Sequence, residues 1–97
     1  MPTVTMRPKA RIDMADIWAY IARDSERQAD KFIDRIDRQL ARLALQPAIG
    51  RLRNELLENL RSFPFEHYLL FYQITREGID VVRVLHAARD INAHFTA

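Results

Sequence analysis

Six side chains in the second half of the chain are of types that can hold an anion or act on one. They are Arg51, Arg53, Arg61, Arg83, His86 and Arg89. Guanidinium groups grip carboxylates and phosphates through paired N–H donors, and an imidazole exchanges protons near neutral pH. On one reading, Arg61, Arg83 and His86 converge near one rim of a sheet as an anion-binding patch. On the other, Arg83 pairs internally with a carboxylate such as Glu66 or Asp90, because a strand-centre arginine is rarely buried unpaired; the loop residues Arg51 and Arg53 are then solvated. The sharper form of the first reading is RNA cleavage. That chemistry needs a group to take the 2′-OH proton, another to protonate the leaving oxygen, and cations on the phosphorane. His86, Glu55, Glu58 and Tyr72 are the acid–base candidates, with Arg61 and Arg83 as clamps. Tyr68 and Tyr72 have the ring type that stacks bases, although alternating strand aromatics more commonly pack in a core.

Other chemistries lack their residues. The chain has no cysteine, so thiolate catalysis and disulfides are excluded. His67, His86 and His94 are not at a two-ligand helical spacing and no carboxylate motif accompanies them, so no metal site is expected. Ser25 and Ser62 are the only serines, neither in a nucleophile elbow. Gly50 and Gly78, the only glycines, cannot build a phosphate-cradling loop, and no cofactor is expected. A net charge of +2 is too small to argue for nucleic acid by bulk field. Lys9 and Lys31 are the only lysines, a bias toward arginine that suits bidentate contacts, including those to an acidic protein.

With 97 residues, 48% of them hydrophobic, one domain over residues 1–97 is expected, hiding roughly two thirds of the unfolded chain's surface. The opening residues lack the apolar core of a secretion signal, and no apolar run approaches a membrane span, so a cytoplasmic protein without membrane association is expected.

The elements that must position these groups follow from periodicity. Val4 and Met6 alternate with polar neighbours over Thr3–Arg7, a short first strand. Pro8 then suits the first position of a helix. Ala10, Met14, Ile17 and Ile21 recur at four, three and four, one apolar helical face running to about Arg23, with Trp18 beside the stripe as a half-exposed aromatic. Ser25 with Gln28 three positions later forms a capping box and starts a second helix over Glu26–Leu45, ended by Gln46-Pro47. The short link makes an antiparallel helical hairpin. Residues 48–58 read as an ordered loop, with a helical turn near Glu55–Asn59. Three strands follow, the last two joined through Arg76-Glu77-Gly78. In the last strand, strict alternation puts Val82 and Val84 on one face and Val81, Arg83 and Leu85 on the other. The tail from Ala88 to Phe95 adds a short turn. The expected fold is therefore α+β: an N-terminal helical hairpin packed on a small, mainly antiparallel β-sheet, in the order β-α-α-β-β-β.

The order and spacing of several short patterns resemble the ParE branch of the RelE/ParE toxin superfamily. They are Ala10 … Asp13-Met14 … Ile17-Trp18-x-Tyr20, Gln28-Ala29 … Ile33, Pro47 … Gly50-Arg51, Leu60-Arg61-x-Phe63-Pro64, Phe71-Tyr72, and Val82-Arg83-Val84-Leu85-His86-x-x-Arg89-Asp90-Ile91. The resemblance covers essentially the whole chain. It implies the toxin of a type II toxin–antitoxin pair, held by a ParD-like antitoxin in a hetero-oligomer and aimed at DNA gyrase without enzymatic activity or sequence-specific nucleic-acid binding of its own. RelE members instead cut mRNA on the ribosome. They often carry an arginine shortly before the strand tyrosine, where this chain has Leu69 in Leu69-Leu70-Phe71-Tyr72. The expected target-binding set is Arg51, Arg53, Arg61, Arg83, His86 and Arg89. The expected antitoxin-binding set is Ile17, Trp18, Tyr20, Ile21 and Phe65, along the first helix and an exposed sheet edge. Were the chain a ribosome-dependent endoribonuclease, Arg61, Arg83 and His86 would be its catalytic residues.

Overall fold

The computed structural model describes residues 2–95. The elements are β1 (Thr3–Met6), α1 (Pro8–Ala22), α2 (Glu26–Leu45), a 3-10 turn at Pro47–Ile49, β2 (Arg51–Leu52), β3 (Leu60–Phe65), β4 (Tyr68–Ile74), β5 (Gly78–His86) and a last 3-10 turn at Asn92–His94. The sheet has five strands in the order β1-β5-β4-β3-β2. It is antiparallel from β2 to β5, and β1 joins the far side of β5 in parallel, Thr3 opposite Gly78 and Met6 opposite Val81. The two-residue β2, inside the segment read as loop, adds one strand to the expected order.

Local chemistry sets the helix ends. Pro8 opens α1, where its missing N–H leaves no helical bond unmade. The Ser25 hydroxyl accepts the Gln28 N–H at 3.2 Å and caps α2, but the reciprocal half of the expected capping box is not made, because the Ser25 N–H donates to the Ile21 carbonyl instead. The inner faces of the hairpin, through Ala10, Met14, Ile17, Phe32, Ile36, Leu40 and Leu43, pack on Leu70, Tyr72, Ile79, Val81 and Val84 of the sheet. The sheet's opposite face holds a smaller cluster of Leu60, Phe71, Val82 and Leu85, covered by Leu56, Leu69, Ile91 and Phe95.

Val81 and Val84 therefore share the helix-side core while Val82 and Leu85 lie in the other cluster, which is not strict alternation. The cause is a register shift between Phe71 and Tyr72: Tyr72 pairs with Val81 but Phe71 with Arg83. Val82 is the extra residue, and a bulge of this kind resets the facing of everything after it.

Tyr72 ties the sheet to the end of α2. Fully buried, its hydroxyl donates to the Pro47 carbonyl at 2.7 Å and accepts the Gly50 N–H at 3.0 Å. A Cβ on Gly50 would fall on that hydroxyl, so glycine is required by close approach. Tyr72→Phe is expected to cost about 2 kcal/mol in chemical denaturation, because the buried Gly50 N–H loses its acceptor. Burial raises the Tyr72 hydroxyl above its usual 10.0. Its contribution is thus complete below pH 10 and is lost as pH climbs through the folded-state value. Tyr72→Phe should flatten this alkaline fall, leaving the part that belongs to Tyr68, whose hydroxyl burial also raises.

Candidate functional site: a groove between the first helix and the ends of the central strands

Where β1 stops at Met6, the outer edge of β5 is left without a strand partner from Val82 onward. Helix α1 crosses this gap, and its Asp13 does what a neighbouring strand would do. Asp13 Oδ2 accepts the Val84 backbone N–H at 3.0 Å. The same carboxylate receives two bonds from Arg83, Nε at 2.7 Å and Nη2 at 2.9 Å, with side chains only 14% and 11% exposed. The hydrogen bonds to Asp13 push the Arg83 guanidinium further above its ordinary value, against the opposing effect of burial. It is charged throughout the accessible pH range.

Beside this brace lies an open groove of about 670 Å³ between α1 and the ends of the central strands. Asp13, Asp16, Ile17 and Tyr20 line it from the helix, His67 and Tyr68 from the start of β4, and Val84, Leu85, His86, Ala88 and Arg89 from the end of β5 and the turn after it. Ile17, Val84, Leu85 and Ala88 give it apolar lining, and the helix and the turn after β5 contribute the charged side chains Asp16 and Arg89. Tyr20 is 67% exposed, and the Arg23 guanidinium lies 5.8 Å from its ring centre. His86 packs against the edge of Tyr68, ring centres 5.2 Å apart, and stacks on His67 at 6.2 Å. His86 Nδ1 accepts the Ala88 N–H at 3.1 Å, which places the proton of the neutral ring on Nε2.

The groove unites Ile17 and Tyr20 of the expected antitoxin set with His86 and Arg89 of the expected target set. The other residues of those sets lie elsewhere. The Trp18 indole N–H donates to Asp30 at 2.8 Å, stapling α1 to α2. Ile21 and Phe65 pack against the helix-side core, Phe65 with its ring 6.0 Å from Phe32. Arg61 Nη1 donates to the carbonyls of Ala48 and Gly50 at 3.2 and 2.8 Å, bracing the connection after α2. Arg53 bonds Glu55 at 2.8 Å and Ser62 at 3.4 Å; its side chain holds the Glu55 carboxyl below the usual range. Arg51 is exposed on β2.

The rim shared by Arg61, Arg83 and His86 is thus not formed. Arg61 sits opposite Tyr72 and Arg83 opposite Phe71, with β4 between them, and each guanidinium is held by its own internal acceptors. Arg83 is paired, as the second reading required, but the carboxylate is Asp13. Glu66 pairs instead with Arg35, at 3.1 Å, and Asp90 accepts the Ala93 N–H at 3.4 Å. Asp13, Asp16 and His67 were missed as groove residues. The available signal was the Asp13/Asp16/Ile17/Tyr20 spacing, which puts all four on one side of α1. Among the described residues no group of three or more His, Asp or Glu side chains is placed to hold a metal ion.

Two helices are laid on one face of a small mixed five-stranded sheet. A solved structure described as the chromosomal ParDE TA system from P. aeruginosa superposes with a TM-score of 0.72 over 89% of this chain and 96% of that one, at 19% identity. The family model for the ParE toxin of the type II toxin–antitoxin system parDE matches residues 4–91. Toxin ParE1 of Mycobacterium tuberculosis (strain H37Rv) is 34% identical over 89 residues, 90% of this chain and 91% of that protein. Toxin RelE3 of Caulobacter vibrioides is 26% identical over 88 residues, 90% and 96% of the two chains. The chain belongs to the ParE toxin family of type II toxin–antitoxin systems.

Proposed function

We propose that this protein is a toxin neutralised by a ParD-like antitoxin seated in the groove, and that it acts in the cytoplasm by binding and poisoning DNA gyrase without cleaving RNA. The observation that carries the non-enzymatic reading is the fate of the arginines. Arg61 and Arg83 are hydrogen-bonded into the fold on separate elements, and neither lines the groove that holds His86, so the three residues expected of a nuclease do not address one point as cleavage demands. The groove favours gripping. It offers exposed aromatic surface at Tyr20, apolar lining at Ile17, Val84, Leu85 and Ala88, and the charged side chains of Asp16 and Arg89, the composition of a partner-binding cleft.

The test is a gyrase supercoiling assay with the purified protein, run beside mRNA cleavage on translating ribosomes. Inhibited supercoiling or trapped cleavage complexes with intact mRNA is the expected outcome; codon-positioned cuts with gyrase untouched would overturn it. For the groove, Tyr20→Ala is expected to weaken antitoxin binding by about tenfold, the effect of truncating an aromatic interface anchor, with the melting temperature unchanged. Trp18→Ala should instead loosen the helical hairpin and lower the melting temperature.

A further inference from the structure

The stretch of β5 that β1 leaves uncovered turns its backbone toward the groove, which Val84, Leu85 and His86 line. Backbone groups of successive strand residues point to opposite edges. The Ala87 N–H donates to the His67 carbonyl at 2.8 Å, toward β4. Leu85, two positions earlier and opposite Leu69, shares that direction. Val84 and His86 therefore direct their backbone groups to the outer edge. The Val84 N–H obeys this, donating to Asp13 at 3.0 Å, and the His86 carbonyl accepts the Arg89 N–H at 3.0 Å. The other two outward groups, the Val84 carbonyl and the His86 N–H, have no hydrogen-bond partner among the described residues. The bulge puts them there. The Val81 carbonyl also points outward, accepting the Arg7 N–H at 2.9 Å. Without the extra residue at Val82 the next outward positions would be Arg83 and Leu85.

The two unused groups flank Leu85, and that sets the polarity of what can bind them. In a parallel pair, one residue gives its N–H to the carbonyl preceding its partner and accepts the N–H following it. A residue placed beside Leu85 meets both groups. An antiparallel neighbour needs the N–H and carbonyl of a single β5 residue, and Val84 has lost the one to Asp13 while His86 has lost the other to Arg89. We propose that the partner segment held in the groove is extended and adds to β5 as a parallel strand in the line of β1, registered by one residue beside Leu85. Unpaired edge groups are the template on which a peptide joins a sheet, its main chain giving affinity and its alternate side chains specificity. Leu85 belongs to the outer cluster, whereas Val84 lies in the helix-side core with Ile17 and Tyr68. The residue beside Leu85 thus faces away from the helices, and its two neighbours face the side of Ile17 and Tyr68, where apolar side chains fit. The proposal rests on the groove as the partner-binding site and adds the conformation, direction and register of its occupant.

The probe is a five-residue peptide of alternating threonine and valine with threonine at its centre, capped at both ends and built of residues that favour extended backbone. In amide-resolved NMR of the intact protein it should shift the Tyr20 and Leu85 signals and slow exchange of the His86 N–H by at least about tenfold. A nitroxide at the peptide's C-terminus should broaden the Ala88 and Arg89 amides, and one at its N-terminus those of Met6 and Arg7. N-methylation of the central threonine removes the donor to the Val84 carbonyl and should weaken binding by about tenfold, the effect of one lost hydrogen bond. N-methylation of either valine, whose N–H points away from β5, should leave binding nearly unchanged. An unaltered His86 exchange rate while the groove signals shift overturns strand addition and leaves the groove reading standing. Broadening with the two labels interchanged overturns the parallel direction. Absence of binding at millimolar peptide also overturns the proposal, whereas the groove as antitoxin seat is judged separately by the Tyr20→Ala titration.

Discussion

Asp13→Ala is expected to lower stability by about 3 kcal/mol, because it strands a largely buried guanidinium and leaves the Val84 N–H without an acceptor. For a chain of this size that is a fall in melting temperature on the order of 15 °C. The brace is made by one carboxylate accepting three hydrogen bonds, two from Arg83 and one from the backbone of β5. Arg83→Ala should cost somewhat less, about 2 kcal/mol, because Asp13 keeps the Val84 N–H while losing its counter-charge. In a double-mutant cycle the pair should lose clearly less than the sum of the singles, the signature of direct contact. Asp13→Asn separates the two functions: the amide oxygen can still accept from Val84 but carries no charge for Arg83. A melting temperature within a degree or two of the parent for Asp13→Ala would mean that the pair is no brace, and Arg83 would return as a candidate for contact with a target.

Gly78→Ala should be comparably damaging for a steric reason. Gly78 is the first residue of β5 and lies opposite Thr3 in the parallel pair. A Cβ there would fall on the Thr3 carbonyl oxygen and lie 2.7 Å from its nitrogen. Backbone cannot swing aside as a flexible side-chain tip can, so β1 must move bodily. A loss of about 2–3 kcal/mol is expected, in the range of overpacked cores. Hydrogen exchange locates it: the Thr3 N–H, bonded to the Glu77 carbonyl, and the Arg7 N–H, bonded to the Val81 carbonyl, should lose protection before amides of β3 and β4. Uniform loss across the sheet would count against a local clash. The side-chain bonds at the same edge, Thr5 to Asp80 at 2.8 Å and Arg7 to Asp80 at 2.9 Å, are exposed and cannot compensate.

What could be read from the sequence was what neighbouring residues decide among themselves. The Ser25–Gln28 cap, the Pro8 start and the extent of α2 all depend on contacts within a few positions, and the structure has them at the expected residues. The pairing of the Phe71 strand with the Arg83 strand was also legible, through the apolar runs and the short link between them. The bulge was not. It depends on how β4 and β5 twist against both layers of packing, and one extra residue at Val82 turned the expected facing of half a strand. The site was less legible than the fold for a related reason. Asp13 lies 70 positions before Arg83, and Glu66 and Asp90 were as plausible from the chain alone. The groove likewise depends on β1 ending four residues into β5, a length mismatch with no sequence mark of its own. Arg61 looked free because the carbonyls that hold it belong to Ala48 and Gly50, and backbone acceptors carry no residue-type signal.

The parallel seam between β1 and β5 has a consequence for how the molecule comes into being. Among the described residues β1 finds its only strand neighbour in β5, with the hairpin and two other long strands made in between. Loop-closure entropy must be met before that pairing contributes, so β1 waits until every element between it and β5 has been made. Asp13 waits with it, because its partners at Arg83 and Val84 emerge as late as the strand itself. A chain stalled before β5 has neither the seam nor the brace, and hence no groove. Assembly of the groove is therefore gated by completion of β5, and a product lacking that strand would have no cleft there.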